Sequence, residues 1–87
     1  MGVGAQAHVG KGTVAHREGL SFGGFDMFRE REGNPARVIV SVWDKGSGER
    51  DFELSLGESF EFAGQTWRLD EIDDRSRRWY ATLTRIA

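Results

Sequence analysis

Few side chains in this sequence could carry chemistry. His8 and His16 are the two imidazoles, with Glu18 and Asp26 nearby, and two imidazoles with a carboxylate are a common zinc set. Their spacing of eight fits no compact ligand motif, so both read as ordinary polar side chains on exposed turns. Asp70, Glu71, Asp73 and Asp74 place four carboxylates within five positions, which could chelate calcium or supply paired acids. The glycine and distal glutamate of a calcium loop are missing, and a strand would send Asp70 and Glu71 to opposite faces. An exposed acidic turn that guards a strand end against intermolecular pairing is the expectation. Gly10-Lys11 resembles the end of a phosphate-binding loop, but Ala5 and Gly12 stand where that loop needs its first glycine and its hydroxyl residue. With no cysteine and no G-x-S-x-G elbow, neither a thiolate nor a serine nucleophile is indicated. The sequence therefore predicts no catalytic residue, no metal, no cofactor and a non-enzymatic role.

Binding chemistry is better represented. Residues 1–48 carry a formal charge of plus one, 49–74 minus seven and 75–87 plus four, so the second and third blocks are complementary. Arg75, Arg77 and Arg78 beside Trp79 or Tyr80 form a candidate patch for an acidic partner, since arginine and aromatic side chains concentrate at binding hot spots. The competing role for these arginines is cross-strand pairing with carboxylates of residues 66–72, which would fix register. Phe22, Phe25 and Phe28 with Arg29 and Arg31 have a loose likeness to the base-stacking run of an RNA recognition motif. The helices of that fold are absent, and core packing is the expected use of at least two of these rings. A net charge of minus two supplies no field to hold nucleic acid or an anionic membrane. The longest apolar run, Val38 to Val40 extended past Ser41 to Trp43, is too short for a membrane span or a signal-peptide core, so a cytoplasmic location is expected. Arginine exceeds lysine ten to two, a bias common in GC-rich bacterial genomes. The expected partner is another protein or a second copy of the chain. Two alternatives stand beside it: a small-ligand or carbohydrate-binding barrel that stacks Trp43, Trp67 or Trp79 on its ligand, and an open barrel that binds oligonucleotides.

The elements that must position these groups are strands. Eighty-seven residues suit one domain with one core. Residues 1–12 hold Gly2, Gly4, Gly10 and Gly12 with few large aliphatics, which predicts a flexible arm, with the single β domain spanning 13–87. From Thr13 onward period-two alternation recurs and helical periodicity does not. Val38, Val40 and Val42 alternate with Ile39, Ser41 and Trp43, an apolar pattern on both faces that marks a central, covered strand. Asp44 to Glu49 form a turn, and Phe52, Leu54 and Leu56 are the expected core face of the next strand. Short strands follow at Phe60 to Phe62 and from Trp67 to Ile72. A last one, with Trp79, Ala81 and Leu83 on one face, should pair with residues 66–72. Thr13 to His16 and Leu20 to Arg31 suit two strands with a bulge or bend, and Gly33-Asn34-Pro35 a turn. The sum is an all-β, antiparallel barrel or sandwich of six to seven short strands.

The segment Leu56-Gly57-Glu58-Ser59-Phe60-Glu61-Phe62-Ala63-Gly64-Gln65-Thr66-Trp67-Arg68-Leu69-Asp70-Glu71-Ile72, closing with Ala81 to Ile86, resembles small bacterial all-β domains of uncharacterised function. They share a Gly-acidic turn, a short aromatic strand, a Gly hairpin, a Trp-containing strand and a final strand ending in Arg and an aliphatic residue. The resemblance covers the C-terminal third and implies a fold. It carries over no catalytic or ligand residue.

Overall fold

The computed structural model describes residues 2–75 and 77–87. Eight strands follow one another: β1 Gln6–Gly10, β2 Val14–Arg17, β3 Leu20–Phe28, β4 Arg37–Asp44, β5 Gly48–Leu54, β6 Ser59–Phe62, β7 Gln65–Asp73 and β8 Tyr80–Arg85. They form two antiparallel four-stranded sheets, ordered β1-β8-β7-β6 and β2-β3-β4-β5, here the first and second sheets. Alternation puts Ala7, Val9, Trp67, Leu69, Ala81 and Leu83 of the first sheet against Phe22, Val38, Val40 and Val42 of the second, and all of these are buried. Full burial of each valine is worth about 1.5–3 kcal/mol. Phe22 and Trp67 meet edge to face, with centroids 4.8 Å apart, and the Trp67 indole N–H donates to Gln65 Oε1 at 3.0 Å. The largest ring in the core thus leaves no polar atom without a partner.

Two expectations are corrected, and the choice between barrel and sandwich falls to the sandwich. Residues 6–10 of the supposed arm are β1, paired from Gln6↔Thr84 to Gly10↔Tyr80, with Ala7 and Val9 fully buried. The glycines of this region lie at turns and at one close approach, so their entropy does not weigh on the strand, and β8 supplies an edge that composition does not reveal. Among the described residues the strands number eight because this one is added. No closed barrel forms: Phe52 of β5 stacks on Phe60 of β6 at 4.3 Å, yet these two edge strands share no ladder. On the opposite side the chain crosses between sheets at Gly10 to Thr13, with Lys11 bridged to Gly24. The result is a sandwich stitched along one side. Leu56, expected in the core, is 57% exposed, because β5 ends at Leu54 and the crossover to β6 breaks the alternation.

The turns follow backbone chemistry. Glu18-Gly19, Glu32-Gly33 and Ala63-Gly64 are two-residue connections with positive φ at both positions, as a hairpin turn matched to strand twist requires. In β3 the register against β4 slips between Gly24 and Asp26, which leaves Phe25 as the extra residue of a bulge. The expected pairing of residues 66–72 with the final strand is present as β7 with β8.

Candidate interaction surface

The inner faces of both sheets are spent on the core, so any binding chemistry lies on the outer faces and the loops. Register fixes what the second sheet presents outward. One row is His16, Ser21, Trp43 and Glu49, and the next is Val14, Gly23, Ser41 and Asp51. Beyond the bulge come Asp26, Ile39 and Glu53, then Phe28 with Arg37. Val14 is 53% exposed, Phe25 60% and Phe28 40%, and Ile39 and Trp43 are half-buried. These apolar side chains occupy the outer face of a sheet whose other face is already core. The Arg37 guanidinium lies 4.9 Å from the Phe28 centroid and is paired with Glu53 at 2.8 Å, which fixes one corner. Ser41 Oγ donates to Asp51 at 2.6 Å, and His16 bonds Ser21 at 2.9 Å.

The outer face of the first sheet is polar. His8 meets Thr82 at 3.2 Å, and the Thr84 hydroxyl donates to Asp70. Hydrogen bonds from Arg68 first and Thr84 second hold the Asp70 carboxyl below the usual carboxylate range. Tyr80 is the exposed aromatic here, lying against the backbone of Gly10.

The arginine patch expected from sequence lies at the end of the sandwich where β7 turns into β8. Arg75 is 87% exposed at its side chain but turns back on Asp73, donating through Nε at 3.1 Å and through Nη2 at 2.8 Å. Those side-chain bonds, and then the Arg75 backbone N–H, bring the Asp73 carboxyl down to about 2. Arg77 and Arg78 are exposed in the same loop. Trp79 is not part of the patch: at 7% exposure it belongs to the core, its ring 2.9 Å from where a Cβ on Gly24 would stand. Arg29 of the β3–β4 connection joins this end through Asp74 at 3.1 Å. Beside it a hollow of about 590 Å3 is lined by Phe28, Arg29, Arg31, Pro35 and Arg37 among others. Guanidinium and carboxylate groups alternate here, so the end is of mixed charge and not simply basic. Between β7 and β8 the β7 bulge between Leu69 and Glu71 sets Glu71 opposite Thr82 and Asp73 opposite Tyr80, so neither carboxylate stands across the ladder from an arginine.

Of the three tryptophans offered for ligand stacking, Trp67 and Trp79 are core residues and only Trp43 reaches an outer face. Among the described residues no cluster of His, Cys, Asp or Glu is arranged to hold a metal, and no helix is long and apolar enough to cross a membrane. The sequence offers Trp43 as a stacking ring and Phe25 as part of a base-stacking-like run, but does not join them to Val14 and Ile39 on one surface, although the signal is present. The two-sided apolar pattern of Arg37 to Trp43 predicts a strand covered on both faces, whereas β4 is central in its sheet and covered on one face.

Fold and surface together define a small two-sheet antiparallel β domain with exposed apolar side chains on one outer face. The chain belongs to a family of unknown function, DUF6406, whose model matches residues 3–87. No curated protein and no solved structure matches it.

Proposed function

We propose that the chain is a non-enzymatic protein-binding domain that docks its partner on the outer face of the second sheet. The observation that carries this reading is the exposure of Val14, Phe25 and Phe28 on one uncovered face, which also carries the half-buried Ile39 and Trp43. A cytoplasmic setting, where disulfides do not persist, suits a chain without cysteine. The test is site-specific photo-crosslinking in cells of the source organism from a benzoyl-phenylalanine at position 25, with position 80 on the other sheet as control. The expected result is one discrete adduct from position 25, competed by unlabelled domain and lost in Val14→Lys. Equal adducts from both positions, or none from position 25, would refute the docking face.

A second reading keeps the arginine-rich end, with Arg75, Arg77, Arg78 and Tyr80 contacting an acidic protein beside the hollow at Phe28. Its support is the convergence of two loops through the Arg29–Asp74 pair. A polyglutamate peptide should then bind with an affinity that falls as salt rises, and Arg75→Ala, Arg77→Ala and Arg78→Ala together should remove that binding. Salt-independent binding, or binding that survives the triple change, would end this reading.

A further inference from the structure

We infer that the segment docking on the second sheet is cationic as well as apolar, carrying lysine or arginine beside its apolar contacts. This inference rests on the docking face proposed above. The outward positions of β5 are Glu49, Asp51 and Glu53, an unbroken acidic column along the edge of the apolar stripe, opposite Trp43, Ser41 and Ile39. Glu53 is neutralised by Arg37 at 2.8 Å. Asp51 has a hydroxyl partner, and among the described residues neither Asp51 nor Glu49 has a cation within ion-pair distance. Asp26 adds a further carboxylate on the same face, its Oδ1 taken by the Met27 N–H at 2.8 Å. Arg37, the cation beside the stripe, is already committed to Glu53 and Phe28, and Arg50 lies over the Phe52 ring at 5.5 Å. A partner that covers this face must place its own cations over Glu49 and Asp51 or bury their charge unpaired, which costs far more than a rim contact returns.

A second copy of the chain meets this demand poorly. With the two faces apposed, the column opposite β5 would be either another β5, which is acidic, or β2, whose outward residues are Val14 and His16. The column also protects β5 as an edge strand, but edge protection does not require all three acids on the apolar side.

The experiment titrates the full chain with three synthetic peptides of about eight residues, long enough to span the face at about 3.4 Å per residue. They alternate leucine with lysine, with glutamate or with serine, and Trp43 fluorescence and backbone amide shifts report binding. Expected is binding of the lysine peptide with shifts confined to β3, β4 and β5, weakened at least about tenfold by Glu49→Gln with Asp51→Asn, and weakened again by salt. If the serine or glutamate peptide binds as tightly and Phe25→Ser abolishes it, the docking face stands and the charge requirement fails. If the lysine peptide binds equally well to Phe25→Ser and Val14→Ser, or if no peptide binds, the face itself is wrong. Sedimentation completes the test: a concentration-dependent dimer that Phe25→Ser dissolves would identify a second copy as occupant and overturn the inference.

Discussion

Gly24→Ala should separate the two sheets where they are stitched. A Cβ at position 24 would stand 2.5 Å from the carbonyl carbon and oxygen of Gly10 and 2.9 Å from the Trp79 ring. Ordinary carbon contacts lie at about 3.5–4.0 Å, so β1 must retreat by about 1 Å from its place beside β3, and the obstacle is backbone that cannot rotate away. Overpacking of this kind costs about 1–3 kcal/mol. For a chain of this size each kcal/mol lowers Tm by about 4–8 °C, so a fall on the order of 10 °C is expected in thermal denaturation followed by circular dichroism. The neighbouring Gly23→Ala is the control. Its Cβ would meet the edge of the half-buried Trp43 ring at 3.3 Å, on the outer face, and a side chain can yield there. That variant should stay within about 1 kcal/mol of the parent, because alanine also removes the entropic penalty of a strand glycine. Equal Tm values for the Gly24→Ala variant and the parent would refute the crossing of β1 over β3, and with it the inclusion of residues 6–10 in the sandwich.

Two further outcomes follow from local geometry. Ala63 holds φ at 53° in a two-residue hairpin turn, so Ala63→Asn, which tolerates that region better, should raise stability by about 0.5–1 kcal/mol in urea denaturation, and a loss would contradict the turn. The Asp73 carboxyl should titrate near 2 when followed by its carboxyl carbon shift, and Arg75→Gln should move the midpoint part of the way toward about 3.9, since the residue 75 backbone N–H still donates. The sign is that of a depressed carboxylate: its contribution to stability is complete above pH about 4 and lost as pH falls toward 2. A midpoint near 3.9 in the parent chain would dismiss the Arg75 contact.

The sequence alone determined the class of this fold. Alternation at Val38, Val40 and Val42, at Trp67 and Leu69 and at Ala81 and Leu83 marked the inward positions, because a strand's period of two leaves no other way to bury such a pattern. The turns beside Gly33 and between Asp44 and Gly48, and an irregularity in β3, were also legible, since each depends on neighbours in the chain. What tertiary structure decided was coverage. Whether Ala7 and Val9 could order depended on the free edge of β8, more than seventy residues away, and whether Trp79 joined a patch or the core depended on the gap left by Gly24. The same holds for the candidate surface. Apolar residues on both faces of β4 state that each face can be buried, but only the second sheet's place in the sandwich settles which face this chain covers and which it leaves exposed.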